Sequence, residues 1–126
     1  MKAVICGYGR MGHEVEQVLL RREHEVVARI DPQEGLGDYD AVETSVLEGA
    51  DVVIEFADGA SVLANAGTYA AANVPAVVGT TGWEAEFDEV RKTVEDAGIG
   101  YLIGANFSIG ANLFMKIAVE AARLVN

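Results

Sequence analysis

Gly7-Tyr8-Gly9-Arg10-Met11-Gly12 constrains this chain more than any other stretch, because of what stands on either side of it. The apolar run Ala3-Val4-Ile5-Cys6 precedes it and reads as a buried strand. A helical pattern through Val15, Val18, Leu19 and Leu20 follows it. The next apolar run ends on an acid, Asp31. A lone G-x-G-x-x-G is weak evidence, but strand, glycine turn, helix, second strand and terminal acid together form a dinucleotide-binding fingerprint.

Each part has a physical task. Gly7 permits the sharp turn from strand to helix, Gly9 lets a pyrophosphate approach the backbone, and Gly12 lets the helix lie close to the sheet. Free N–H groups at the helix start, with the positive end of its dipole, face the phosphates. Asp31 can accept hydrogen bonds from both hydroxyls of the adenosine ribose. A 2′-phosphate at that place would meet like-charge repulsion. Pro32 and Gln33 follow in place of a basic residue, so NADH is favoured as cofactor. Arg29, two positions before Asp31, leaves NADPH open.

The 126 residues carry a formal net charge of −11. So acidic a surface argues against nucleic acid or anionic membrane as partner. No apolar run approaches the ~18 residues of a membrane span. Met1-Lys2 passes straight into a strand, so no signal peptide is read. Cys6, the single cysteine, admits neither an intrachain disulfide nor a cysteine metal cluster, and it reads as a buried structural thiol. A cytoplasmic protein without a metal site is expected.

Apolar runs alternate with helical patterns. Strands are expected near 2–6, 25–31, 51–56, 75–79 and 100–104, and helices near 10–22, 59–73, 84–97 and 108–125, with a short helix near 43–48. Runs such as Val52-Val53-Ile54 and Ala76-Val77-Val78 do not alternate with polar residues, as befits strands covered on both faces. The expected fold is therefore α/β, a Rossmann-type parallel sheet of about five strands with helices on both faces. The expected strand order is 3-2-1-4-5, with ligand at the carboxyl edge near strands 1 and 4. Residues 32–40 read as a surface loop, and Asp58 or Ser61 as a cap for the following helix. Residues 1–126 read as one dinucleotide-binding domain.

The later strand ends narrow the reading. Gly79-Thr80-Thr81-Gly82 follows the fourth strand, and Asn106-Phe107-Ser108-Ile109-Gly110 follows the fifth. With Gly9-Arg10-Met11-Gly12 and Asp51-Val52-Val53-Ile54-Glu55-Phe56, the whole chain resembles the N-terminal domain of dihydrodipicolinate reductases. That family reduces a cyclic unsaturated dicarboxylate, 4-hydroxy-tetrahydrodipicolinate, with NADH or NADPH in the diaminopimelate route to lysine. The resemblance implies a cofactor site of Gly7, Tyr8, Gly9, Arg10, Met11 and Gly12 at the pyrophosphate and Asp31 at the ribose. It implies Phe56 and Ala57 beside the cofactor, Gly79, Thr80 and Thr81 at the nicotinamide, and Ala105, Asn106 and Phe107 at the cofactor and hinge. Many members have one more residue in the first turn, and often Asp where Glu55 stands. The family's substrate domain, with its His-His-x-x-Lys segment, has no counterpart here, so no catalytic residue is assigned. The dicarboxylate is expected to be held only with that missing domain. The full-length family forms homo-oligomers through it, whereas this chain is expected to be a monomer or a weak dimer.

Plainer readings stand beside these. Thr80 and Thr81 also suit a strand-end turn, Asn106 a helix cap, Phe107 an ordinary core position and Arg10 a solvated face. Trp83 either shields the site or anchors its loop. His13 sits on the pyrophosphate side, out of reach of a reacting atom, and reads as a surface or packing residue. Two other functions fit the glycine turn: a regulatory dinucleotide-sensing Rossmann module, or another small Rossmann dehydrogenase. The regulatory module does not call for the GTTG and NFSIG segments.

Overall fold

The computed structural model describes residues 1–125. Five strands, β1 (Lys2–Cys6), β2 (Glu25–Ile30), β3 (Val52–Glu55), β4 (Ala76–Val78) and β5 (Tyr101–Ile103), alternate with α1 (Arg10–Arg21), α2 (Val62–Ala72), α3 (Phe87–Ala97) and α4 (Ile109–Val125). All neighbouring strands are parallel, so this is a Rossmann-type α/β fold. Single 3-10 turns, Gly59–Ser61 and Glu84–Glu86, lead into α2 and α3.

The apolar strands sort their side chains by parity. Val4, Cys6, Ala28, Ile30, Val53 and Val78 meet Ala66 and Tyr69 of α2 and Val90 and Val94 of α3 in the main core. Ala3 and Ile5 face the other way and pack with Leu19 of α1. Helix ends follow local chemistry. Asp58 accepts from the Ala60 N–H at 2.8 Å, while Ser61 makes no side-chain cap. Gly98 ends α3 in the left-handed region at φ 70°, where an L-residue with a Cβ is disfavoured.

The strand order corrects the expectation. It is β2-β1-β3-β4-β5, so the third strand lies beside the first rather than outside the second. The reason is burial. Val53 and Glu55 are fully buried on one side, while Val52 and Ile54 pack against the α1 side, so β3 needs a strand partner on each flank. β1 and β4 supply them. No helix connects β2 to β3. The short helix expected near 43–48 is instead a series of turns, Val46 N–H to the Glu43 carbonyl, Leu47 to Thr44 and Ala50 to Leu47. Leu47, fully buried, pins this irregular crossing to the main core. The point where the chain reverses its direction across the sheet is thus between β1 and β3, and ligand clefts of such sheets open at that point.

Helix α4 buries none of its residues. Phe114 is 71% exposed and Leu102 of the edge strand 56%. No helix of the described residues is long and apolar enough to cross a membrane.

One polar group lies deep in the main core. Glu55 is fully buried, and its Oε2 accepts from the Tyr69 hydroxyl at 2.5 Å. Its Oε1 and the buried Tyr101 hydroxyl have no hydrogen-bond partner among the described residues. Burial raises the Glu55 carboxyl above the usual glutamate range, and the Tyr69 hydrogen bond only partly opposes it. A carboxyl whose folded-state pKa is raised stabilises the fold below its unfolded value and loses that contribution as pH rises through the folded value. The melting temperature of the native chain is therefore expected to fall with rising pH relative to Glu55→Gln, which has no such proton to lose. Parallel pH profiles for the two proteins would count against a neutral Glu55.

Candidate functional site: a dinucleotide cleft at the β1–β3 switch

The site begins where β1 stops. The Gly7 N–H donates to the Ile30 carbonyl at 2.8 Å, which ties the turn to the end of β2. Gly7 has φ 86°, and a Cβ there would lie 2.1 Å from the Phe56 carbonyl oxygen. A Cβ on Gly12 would lie 2.4 Å from the Gly7 carbonyl oxygen. Both glycines are thus required by close backbone approach. Gly9 differs: a Cβ there would meet nothing within 4 Å. It points into open space at the start of α1, whose first N–H groups have no side-chain cap. Uncapped donors beside an open glycine suit a pyrophosphate.

Around this turn lies a cleft of about 610 Å³, within the range of small-molecule sites. Gly7 and Gly9 form its floor, Asp31 one lip, and Phe56 and Ala57 the β3 side. Asp31 is half-buried. Its Oδ2 accepts from the Tyr8 N–H at 2.8 Å and its Oδ1 from the Gln33 N–H at 2.9 Å. Two backbone donors hold the carboxylate at the lip, with lone pairs left for hydroxyl donors. The cleft also has Asp40 and Asp58 in its lining and, among the described residues, no Lys, Arg or His. Cys6 borders it too, but burial and the nearby Glu55 push its thiol up to about 12, so it stays protonated and is no nucleophile.

The remaining sequence-predicted residues extend along the same sheet edge. Gly79 donates its N–H to the Glu55 carbonyl at 2.8 Å, and the Phe56 ring lies across it, where a Cβ would be 2.1 Å from a ring carbon. Thr80 is buried, and its hydroxyl accepts from the Ala57 N–H at 2.9 Å. Thr81 is exposed. The Trp83 Nε1–H donates to the Thr80 carbonyl at 2.7 Å, and the Trp83 ring is stacked on Phe87. Trp83 therefore anchors the GTTG loop, and its buried ring does not lie open to the cleft. Phe107 meets the edge of Phe56 with ring centroids 6.2 Å apart, which links the β5 end to the cleft wall. Ala105 and Asn106 are exposed beside it. The Asn106 side chain accepts from the Ser108 N–H at 2.8 Å, and Ser108 Oγ accepts from the Ala111 N–H at 3.2 Å. Asn106 thus shapes the turn into α4, and Ser108 is the side chain that caps it.

Two residues of the turn face elsewhere. The Tyr8 ring points away from the cleft, stacked on His13 at 4.1 Å, with its hydroxyl on Glu16. Met11 lines an apolar groove with Val15 and Val18. Arg10 is exposed at the first turn of α1. His13 Nδ1 is 2.7 Å from the Gly9 carbonyl, a packing role consistent with its position on α1. Sequence reasoning missed Asp40 and Val42, which wall the cleft from the irregular crossing, and Asn65 and Thr68 of α2. Only the true strand order, which brings β3 and its crossing beside β1, could have pointed to them.

Comparison with known proteins bears on the fold and the family. A sequence model for the N-terminus of dihydrodipicolinate reductase matches residues 1–107. The 4-hydroxy-tetrahydrodipicolinate reductase of Streptomyces griseus is 40% identical over 124 residues, covering 96% of this chain and 47% of the relative. That of Listeria welshimeri is 37% identical over 141 aligned positions, covering 98% of this chain and 54% of the relative. Among solved structures, dipicolinate-bound dihydrodipicolinate reductase from Paenisporosarcina sp. TG-14 superposes with a TM-score of 0.77 at 25% identity, over 97% of this chain and 53% of that one. This chain spans about half the length of the curated relatives it matches.

Proposed function

Since this chain belongs to the dihydrodipicolinate reductase N-terminal family, we propose that it is the NAD(P)H-binding domain of a reductase acting on 4-hydroxy-tetrahydrodipicolinate in lysine biosynthesis. The observation that carries this reading is the open side of Gly9, set between the uncapped start of α1 and the Asp31 carboxylate. When bound, the nicotinamide supplies a hydride to the substrate's conjugated carbon–nitrogen system. This chain's residues bind and orient. Gly7, Gly9, Arg10, Met11 and Gly12, with Tyr8, make the turn that receives the pyrophosphate. Asp31 takes the adenosine ribose. Phe56, Ala57, Gly79, Thr80 and Thr81 border the nicotinamide, with Ala105, Asn106 and Phe107 at the hinge.

NADH is the preferred cofactor on electrostatic grounds. A 2′-phosphate would enter a cleft whose lining includes Asp31, Asp40 and Asp58 and no cationic side chain. The cytoplasm is the matching compartment.

Proton delivery and dicarboxylate binding belong to a second region. The two histidines, His13 and His24, lie in or just past α1, away from the β4 and β5 ends where the nicotinamide would sit. The 126-residue chain is therefore expected to bind dinucleotide with little or no turnover, as a monomer or a weak dimer. The test is a reductase assay with NADH and enzymatically generated 4-hydroxy-tetrahydrodipicolinate. Robust turnover by the isolated chain would overturn the assignment of proton delivery to a second region.

A further inference from the structure

A buried ionic knot stands directly behind the ribose-binding lip. Glu16 of α1 is 7% exposed, an uncommon place for a helix carboxylate. It is held there by Arg29 of β2, whose Nε donates to Glu16 Oε1 at 2.7 Å and whose Nη2 pairs with the same oxygen. The Tyr8 hydroxyl donates to the other oxygen. Arg29 also reaches Asp38 Oδ2 through Nη1 at 3.2 Å. These partners keep the Glu16 carboxyl below the usual range in spite of its burial.

Tyr8 joins this knot to the cleft. Its N–H donates to Asp31 Oδ2 at 2.8 Å, while its ring lies 5.8 Å from the Arg29 guanidinium carbon. Arg29 is thus the guanidinium two positions before the carboxylate that would meet the ribose, and both touch Tyr8. Arginine is the side chain best suited to a phosphate in that neighbourhood, through two parallel N–H donors. Here three of its five N–H donors are engaged, Nε and Nη2 on Glu16 and Nη1 on Asp38, which fixes the plane of the guanidinium against α1. Glu16 holds the guanidinium with two N–H donors on one oxygen, although the Arg29 side chain is itself partly exposed.

We propose that Glu16 is a positioning residue for cofactor selectivity: by holding Arg29 against α1 it withholds from the ribose lip the cation that a 2′-phosphate requires. This rests on the reading of the cleft as a dinucleotide site. It goes beyond the like-charge effect of Asp31, since it assigns selectivity to a residue outside the cleft. Removing Glu16 leaves the Arg29 guanidinium with Asp38, whose side chain is half exposed, and the Tyr8 ring. The guanidinium is then free to turn about the Tyr8 ring toward a 2′-phosphate.

The experiment measures dissociation constants for NADH and NADPH by titration on the wild-type chain, Glu16→Gln, Glu16→Ala and the double variant Glu16→Ala/Arg29→Ala. Glu16→Gln keeps the shape and the Tyr8 partner, so it serves where Glu16→Ala folds poorly. Loss of the Glu16 charge is expected to tighten NADPH about tenfold relative to NADH, the size of one charge-assisted hydrogen bond. The gain should vanish in the double variant, which a merely structural role of Glu16 would not produce. An unchanged NADPH to NADH ratio in folded Glu16→Gln, or a gain that survives loss of Arg29, overturns the inference alone. Failure of the wild-type chain to bind either dinucleotide overturns the underlying reading of the cleft, and the inference with it.

Discussion

Gly7→Ala is expected to destabilise the fold strongly. The added methyl would sit 2.1 Å from the Phe56 carbonyl oxygen and 2.8 Å from the Ala57 nitrogen, both backbone atoms of the chain leaving β3. Neither can swing aside as a flexible side chain does. The φ of 86° adds the ordinary cost of a left-handed backbone for an L-residue, about 1–2 kcal/mol. Relief requires the β1 turn to part from β3, which breaks the Phe56 N–H bond to the Cys6 carbonyl and the Gly7 N–H bond to Ile30. The sum is on the order of 4 kcal/mol or more, a large share of the ~5–15 kcal/mol that holds a small domain. Thermal unfolding followed by circular dichroism should show the melting temperature lowered by about 15 °C, if the variant folds at all. A native-like melting curve would mean that the turn has slack the geometry does not show.

Gly9→Val is expected to do the reverse, sparing the fold and abolishing binding. A Cβ at Gly9 has no atom within 4 Å, so a side chain there starts in open space. Its stability cost is the poorer N-terminal position of α1, about 1 kcal/mol. The side chain would instead stand where a pyrophosphate must come to reach the N–H groups of α1. Loss of two charge-assisted hydrogen bonds there corresponds to about 3 kcal/mol, or a hundredfold or more in the dissociation constant for NADH. A folded Gly9→Val that binds NADH as the native chain does would place the phosphates elsewhere. The contrast between neighbouring glycines is informative because one variant reports on backbone packing and the other on ligand space.

The strands and long helices are legible in the amino-acid order for a simple reason. Strands buried on both faces need uninterrupted apolar runs, and Ala3 to Cys6, Val52 to Ile54 and Ala76 to Val78 are such runs. The helix stop at Gly98 is legible because only a left-handed end satisfies the last carbonyls there. Strand order was not legible. Between the second and third strands the sequence offers only a surface loop and a short helical pattern near 43–48, and nothing local tells a chain crossing back over β1 from one passing beyond β2. The answer lies in the two-sided burial of β3, a property of the assembled sheet. The same gap concealed Asp40 and Val42, since the wall they form exists only with that crossing.

The candidate site divides along the same line. Gly7, Gly9 and Asp31 are legible because backbone approach and carboxylate geometry demand particular residue types at fixed places. Phe56 over Gly79 is a tertiary contact between β3 and β4 ends, and it explains a glycine that the motif alone left unexplained. Trp83 could be placed only by seeing its indole N–H on the Thr80 carbonyl. Glu16 is the sharpest case. A glutamate in the middle of an amphipathic helix reads as a solvated residue, and only a partner from another element, Arg29, keeps it inside.

The most direct test of the whole reading is a calorimetric titration of the 126-residue chain with NADH and, separately, with NADPH at moderate salt. Saturable binding of NADH at one site per chain, with a dissociation constant several-fold or more below that for NADPH, is the expected result. Absence of saturable NADH binding to the folded chain would contradict the dinucleotide cleft itself, and tighter binding of NADPH would contradict the role given to Asp31 and its acidic surroundings.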